Sequence, residues 1–223
     1  MYELVMEHFR VSMEAQRTCN LLLLNKVAEL EDLIDDKKAS MSDSHVRRLN
    51  KGTCSAEVGA IFLSVTSNFE RIADHACGIS RAAREIVEKK IKFSDDANRE
   101  LAILYNAVKE ELDMTVKSFT EDNIDMARQE PLRITVRMLC AELKRNHIVR
   151  LQSGNCDAIN GFVFNDLLTN LERIVAHCSN IAVAMMEFES DDFNTHQYLK
   201  DMRNSEVSDM AKDVNYYSEK YSI

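Results

Sequence analysis

The chain has 223 residues, with 37 acidic and 28 basic side chains and a formal net charge of −9 at pH 7. This acidic balance argues against nucleic acid as a partner, because phosphate binding needs clustered lysine and arginine. Five glycines and one proline provide little turn chemistry, so a mostly helical protein with short connections is predicted. The longest apolar runs, such as residues 181–186, are too short to cross a bilayer.

The first part of the chain is predicted to form three helices. The first covers Met1–Gln16 and the second Leu21–Asn50, followed by Gly52, a residue type that often lies just past a helix end. Ser55 is a suitable N-cap for the third helix. In that helix apolar residues recur at three- and four-residue spacing for about eight turns. They are Val58, Ile61, Phe62, Val65, Phe69, Ile72, Ala76, Ile79, Ala83 and Ile86.

The second part repeats this pattern. Residues 147–182 align without a gap with residues 45–80, and 14 of the 36 positions are identical. A shift this long and regular means that one structural unit is used twice. Helices are predicted near residues 95–118 and 124–152, and a third begins after the N-cap Asp157. Pro131 must either kink the second of these helices or mark a later start.

Together these patterns predict an all-α fold with two tandem three-helix bundles related by a pseudo-two-fold axis. Repeat 1 is assigned to residues 1–92 and repeat 2 to residues 93–189. Because Met1 aligns with Ile103, about two turns of the first helix are missing from repeat 1. Either a short helix suffices, or the chain is cut from a larger protein. Residues 190–223 form a polar C-terminal tail outside the bundles, with a helix predicted at Val207–Lys220.

Two acidic pairs in repeat 1 have the spacing that places side chains on one face of a helix. Glu31 and Asp35 are four residues apart on the second helix, and Glu70 and Asp74 are four apart on the third. Each pair falls at the edge of the apolar stripe, so the four carboxylates are candidate oxygen ligands for a metal ion. The same spacing is common among solvated or salt-bridged carboxylates, and this alternative stays open.

Repeat 2 keeps only one of these acidic residues, Glu172. The other three positions have become Arg133, Arg137 and Ala176. An ion pair between Glu172 and a neighbouring arginine is therefore predicted there in place of a metal site.

The histidines and the remaining motifs do not indicate catalysis. His75 and His177 follow the acidic motif by one residue, and a hydrogen bond at the edge of the core is predicted for them. His45 and His147 are predicted to face the next helix. The sequence contains no phosphate-binding glycine loop, nucleophile–base–acid set or paired zinc-cysteine spacing. The Glu-x-x-His pattern of di-iron bundles is absent at both repeats, so no enzyme is predicted.

The segments Asn-Phe-Glu-Arg-Ile-Ala-Asp-His at 68–75 and Asn-Leu-Glu-Arg-Ile-Val-Ala-His at 170–177 resemble the PhoU family of phosphate-transport regulators. That family has a twice-repeated three-helix unit with Glu-Arg-Ile-x-Asp-His on its last helix. It also has a Glu-x-x-x-Asp on the second helix, which Glu31 and Asp35 match. The link His-x-x-Arg-Leu-x-x-Gly-x-Cys and the tail at 194–200 are most similar to the PhoU-type C-terminal domain of bacterial sodium/phosphate cotransporter proteins.

The resemblance implies a non-enzymatic regulatory domain that controls phosphate uptake by contact with a membrane phosphate transporter domain, in the same chain or a separate one. It also implies a cytoplasmic location at the inner face of the membrane. A histidine kinase and a second copy of the chain are further candidate partners. Two alternatives stay open: a stand-alone adaptor that links a transporter to a signalling kinase, and a metal-binding bundle with an enzymatic or storage role.

In the PhoU family the Glu-x-x-x-Asp pairs can bind multinuclear iron or zinc clusters on the bundle surface. Carried over residue by residue, this implies iron or zinc on Glu31, Asp35, Glu70 and Asp74 in repeat 1. In repeat 2 only Glu172 matches, so its equivalent site is degenerate.

Overall fold

A computed structural model describes residues 1–127, 130–154, 156–189 and 207–223. Within these ranges the chain forms eight α-helices and no β-strand. They are α1 (Tyr2–Thr18), α2 (Leu23–Asn50), α3 (Ala56–Glu88), α4 (Asp95–Thr120), α5 (Ile124–Ala127), α6 (Pro131–Gln152), α7 (Ala158–Glu189) and α8 (Val207–Lys220). No helix in the described ranges is both long enough and apolar enough to span a membrane.

The helix ends follow the local signals in the sequence. Ser55 Oγ accepts a hydrogen bond from the backbone N–H of residue 58 at 3.2 Å, and Asp157 Oδ1 accepts one from residue 160 at 2.7 Å. Gly52 and Gly154 have φ angles of 65° and 73° just past α2 and α6, the left-handed conformation that favours glycine. Pro131 is the first residue of α6, so the predicted helix at 124–152 is divided into α5 and α6.

The helices form two three-helix bundles. α1, α2 and α3 pack together in repeat 1, and α4, α6 and α7 pack together in repeat 2. The most extensive packing among the described residues joins α3 to α7, and both helices contribute fully buried side chains such as Ile79 and Ile174 to one continuous core. The prediction of an all-α fold with tandem three-helix bundles is confirmed. The division at residues 92 and 93 falls between α3 and α4 and stays a prediction, because the core is continuous across the repeats.

Each bundle contains a histidine stacked on a phenylalanine between its second and third helices. The ring centroids of His45 and Phe62 are 5.1 Å apart in repeat 1, and those of His147 and Phe164 are 5.1 Å apart in repeat 2. A Cβ atom at Gly59 would collide with the His45 ring, and the matched glycine of repeat 2 has the same neighbour. These glycines therefore let the second and third helices approach closely enough for the imidazole to be buried.

α8 lies against the outer face of repeat 2, where it contacts α6 and α4. Tyr221, just after the helix, is buried, and Lys220 Nζ lies 2.7 Å from Glu110 Oε2. The helix has the bounds predicted from the sequence. The tail motif at 194–200 lies outside the described residues.

Candidate functional site

The contact between α3 and α7 carries reciprocal hydrogen bonds. His75 Nδ1 donates to Asn170 Oδ1 at 3.1 Å, and His177 Nδ1 donates to Asn68 Oδ1 at 2.9 Å. Burial, followed by the charges of His75 and Arg71, lowers the pKa of His177 to about 4, so this ring is neutral at pH 7. Because the two bonds are related by the repeat shift of 102 residues, they mark the pseudo-two-fold axis. The predicted hydrogen bonding of both histidines is confirmed.

The carboxylate cluster of repeat 1, formed by Glu31, Asp35, Glu70 and Asp74, lies across α2 and α3. Partial burial, followed by the negative charges of Glu70, Asp35 and Glu31, raises the pKa of Asp74. Partial burial and the charges of Glu70 and Glu31 raise the pKa of Asp35 as well. Like charges act on one another in this way only when they are close, so the two pairs share one surface.

Two neighbouring side chains already bind the carboxylate cluster. Lys38 Nζ lies 2.9 Å from Glu70 Oε2, and Cys77 Sγ donates to Glu31 Oε2 at 3.1 Å. In the part of the chain that the structure describes, no three histidine, cysteine or acidic side chains converge closely enough to hold a metal ion. The charge and donor type of the cluster fit a cation, but the Lys38–Glu70 ion pair must open before these oxygens can converge on one point.

Repeat 2 has ion pairs in place of the carboxylate cluster. Lys144 Nζ lies 2.9 Å from Glu172 Oε2. Arg133 turns into the bundle, where its Nε lies 2.7 Å from Glu111 Oε1 and its Nη2 donates to the carbonyl of Ala127 at 3.1 Å. The ion pair predicted at Glu172 therefore exists with a lysine. The predicted arginine partner is wrong for Arg133, because Glu111 offers that guanidinium a buried carboxylate.

A cleft of about 660 Å³ lies at the place in repeat 2 that matches the carboxylate cluster. Its lining includes Arg137, Arg173 and Lys144 together with Glu172. A cation in this cleft would meet positive charge and few free oxygens. An ion of the kind that suits repeat 1 is therefore disfavoured in repeat 2.

The interpretation of the sequence missed two buried acidic residues of α4. Glu100 and Glu111 have exposed fractions of 3% and 1%, and each binds an arginine of α6. Arg150 holds Glu100 with nitrogen–oxygen distances of 2.8 and 3.0 Å. Both acids fall within the apolar stripe of α4, and this signal could have revealed them, because a carboxylate in such a stripe requires a buried partner.

A helical unit used twice and joined through its third helices, with a carboxylate cluster in one copy, defines a tandem-repeat helical bundle protein. The family model of the PhoU domain matches residues 1–83. The phosphate-specific transport system accessory protein PhoU homolog 1 of Thermotoga maritima is 25% identical over 201 residues, which cover 88% of this chain and 85% of that relative. Both matches support the resemblance to the PhoU family that the Glu-Arg-Ile motifs indicate.

Solved structures share the fold. The crystal structure of PhoU from Pseudomonas aeruginosa matches with a TM-score of 0.77 and 20% sequence identity, over 84% of this chain and 90% of that one. The phosphate transport system regulatory protein PhoU from Streptococcus pneumoniae matches with a TM-score of 0.73 and 17% identity, over 86% of this chain and 91% of that one. The whole two-repeat architecture is therefore common to these proteins.

Proposed function

We propose that this chain is a non-catalytic regulator of phosphate uptake that acts at the cytoplasmic face of the membrane by contact with a phosphate transporter. The observation that carries this proposal is the similarity, over 88% of the chain, to an accessory protein of a phosphate-specific transport system. The absence of a catalytic motif from the sequence supports action by contact, because such a regulator needs only surfaces that bind.

An exposed apolar patch at the end of repeat 2 is suited to such contact. It consists of Ile148, Val149, Ile159 and Phe162, whose exposed fractions are 53%, 61%, 53% and 71%. In repeat 1 the aligned residues are Val46, Arg47, Glu57 and Ala60, which form a more polar surface. Contiguous exposed apolar residues are typical of interaction sites, so repeat 2 is the end that we expect to meet the partner.

The test is phosphate uptake in cells that produce the chain, its Phe162→Asp variant or its Ala60→Asp variant, compared with cells that lack the gene. We expect loss of the gene to change uptake at high phosphate, Phe162→Asp to reproduce most of that change, and Ala60→Asp to behave as wild type. Both sites are exposed, so neither variant should unfold. Equal uptake with and without the gene would contradict the proposal, as would phosphate-ester turnover that one acidic substitution abolishes.

The proposal can be made more specific by asking which class of transporter the chain contacts and whether it is part of that transporter. The tail similarity supports a sodium-dependent phosphate transporter, with this chain as its cytoplasmic domain. A stand-alone adaptor that links a transporter to a histidine kinase is the second candidate, and similarity to a separate accessory protein favours it. Crosslinking from position 162 distinguishes the two, because the adaptor should capture a kinase as well as a transporter. A crosslink to a second copy of the chain would be recognised by the mass of that copy.

We further propose that a metal ion, iron or zinc, binds in repeat 1 and not in repeat 2. Glu31, Asp35, Glu70 and Asp74 would hold it, and its charge would remove their mutual repulsion and tie α2 to α3. In repeat 2, Lys144 pairs with Glu172, and three arginines line the cleft. Support for this proposal comes from the raised pKa values of Asp35 and Asp74, which reflect in part carboxylates that repel one another.

Elemental analysis of protein purified without chelator tests the metal proposal. We expect Asp74→Ala to remove most of the bound metal, whereas Glu172→Ala leaves the amount unchanged. Lys38→Met should increase metal content, because it frees the Glu70 carboxylate. Metal lost with Glu172→Ala but kept with Asp74→Ala would reverse the assignment, and no metal in any preparation would return the four carboxylates to an ordinary solvated and salt-bridged surface.

A further inference from the structure

The cleft of repeat 2 has the opposite charge to the matching surface of repeat 1. It has a volume of about 660 Å³ and lies between α6 and α7, where repeat 1 has the carboxylate cluster on α2 and α3. Three of the four acidic positions of that cluster have become Arg133, Arg137 and Ala176. A third arginine, Arg173, also lines the cleft. The same place in the repeated unit therefore holds carboxylates in one copy and guanidinium groups in the other.

Arg133 brings an unpaired N–H donor to this cleft. Its side chain is only 9% exposed, and it lines the cleft. Its Nε donates to Glu111 and its Nη2 donates to the carbonyl of Ala127, whereas Nη1 forms no hydrogen bond to any residue that the structure describes. A nearly buried donor without a partner favours an acceptor in the cleft. Because Glu111 and Ala127 hold the rest of the guanidinium, this donor is fixed in position before a ligand binds.

Arg137 and Arg173 add two exposed guanidinium groups, one from each of the helices that line the cleft. Within the described ranges neither side chain forms an ion pair or a hydrogen bond. A guanidinium presents its N–H donors in a planar fork that matches the oxygens of a phosphate or a carboxylate. Both groups therefore keep all their donors for a ligand.

The acidic residues of the cleft compensate only part of this charge. Lys144 Nζ lies 2.9 Å from Glu172 Oε2, so these two residues neutralise each other. The other lining carboxylate, Glu130, precedes α6 and lies about two turns before Arg137. Ala176 removes the carboxylate that repeat 1 has at this position of its third helix. The free arginines are therefore opposed by a single carboxylate at one end of the cleft.

We propose that this cleft binds a phosphate group. A phosphate group has a charge of about −1.5 to −2 near neutral pH and at least three acceptor oxygens, so arginines of α6 and α7 can contact it together. A carboxylate has a single charge and two oxygens, and it satisfies one guanidinium fork. The free ion and a phosphate ester present the same chemistry to the cleft. The inference is independent of the proposed function, because contact with a transporter does not require affinity for phosphate.

Isothermal titration calorimetry of the full chain with inorganic phosphate tests this proposal. The ionic strength is kept constant with chloride, and a chelator is present so that a metal in repeat 1 cannot contribute. We expect saturable binding that Arg137→Gln and Arg173→Gln each weaken at least about tenfold. Arg145→Gln is the matched control, because Arg145 is an exposed arginine of α6 that does not line the cleft. This control should leave the affinity near that of wild type.

Two variants of Ala176, which is exposed, separate charge from shape. Ala176→Asp restores the acidic residue of repeat 1, and we expect it to abolish saturable binding. Ala176→Asn has nearly the same shape without the charge and should retain binding. Circular dichroism shows whether each variant keeps the helical content of wild type.

Two further ligands define the chemistry of the site. Acetate should bind at least about tenfold more weakly than inorganic phosphate, because it engages one guanidinium fork. Methyl phosphate distinguishes the sources of the group: tighter binding than inorganic phosphate assigns the site to a phosphate ester, and weaker binding assigns it to the free ion. The proposal is overturned by the absence of saturable phosphate binding, by equal affinity for acetate, or by equal weakening with Arg137→Gln and Arg145→Gln.

Discussion

Replacing Arg133 by alanine is expected to lower the free energy of unfolding by about 3–5 kcal/mol. Arg133 is 7% exposed and its partner Glu111 is 1% exposed. The guanidinium supplies the Nε bond to Glu111 Oε1, while Oε2 of the same carboxylate has no hydrogen-bond partner among the described residues. Without the arginine, a buried carboxylate would be left with only the Thr115 hydroxyl.

The loss caused by Arg133→Ala should depend on pH. Burial raises the pKa of Glu111, and the charge of Arg133 opposes this shift, so removing Arg133 moves the pKa further up. A carboxyl group whose pKa is higher in the folded state than in the unfolded state favours folding at low pH. That contribution is lost as pH rises through the folded-state value. The difference between variant and wild type should therefore be larger at pH 7.5 than at pH 5.

Urea unfolding at the two pH values measures this effect. Arg137→Ala is the matched control, because it removes the same side chain one turn along α6 at an exposed position. We expect it to change stability by no more than about 0.5 kcal/mol. The double variant Arg133→Met, Glu111→Leu should recover much of the loss, since an apolar pair of similar volume can replace a buried ion pair. Equal losses for Arg133→Ala and Arg137→Ala would contradict this account.

The ion-pair partner of Arg133 could not be predicted from the sequence. The aligned repeats identified Arg133 as the counterpart of Glu31, and local spacing then suggested Glu172 as its partner. Its actual partner lies on α4, and the sequence gives no distance between side chains on different helices. Glu111 falls within the apolar stripe of α4, and a carboxylate in such a stripe is a signal for a buried charge. Which arginine would reach it depends on how α4 and α6 pack.

The elements themselves were predictable because their signals are local. Helix caps and helix-ending glycines act within one or two turns. The structure has both signals at the predicted positions, with caps at Ser55 and Asp157 and glycines at 52 and 154. The proline at 131 left two alternatives, because a kink and a new start are both compatible with its missing N–H. The later start occurs, and residues 128 and 129, between α5 and α6, lie outside the described ranges.

The carboxylate cluster was only partly predictable. Four-residue spacing places each pair on one helix face, and neighbouring helices in a three-helix unit must bring two faces together. The raised pKa values of Asp35 and Asp74 agree with that arrangement. The bonds from Lys38 and Cys77 were not foreseen, because they depend on the rotation of α2 against α3. Those two residues determine how freely the carboxylates can take a ligand.

The buried ring of Phe164 in repeat 2 leads to a second large effect on stability, a loss of about 4 kcal/mol when this residue is replaced by alanine. The ring of Phe164 contacts Phe93, His147 and Arg150 and is 1% exposed. Truncation would leave a cavity that these neighbours cannot fill without moving. For a chain of this length, a loss of that size corresponds to a fall in Tm of about 8–16 °C.

Phe62→Ala is the matched variant in repeat 1, and its expected cost is about half as large, since part of that ring is still exposed to water. The Phe62 ring has the matching contacts with His45 and Arg48, but no aromatic ring among the described residues packs on it as Phe93 packs on Phe164. Urea unfolding of both variants measures the difference. Equal losses for the two variants would contradict this account, because a half-exposed ring should cost less to remove than a fully buried one.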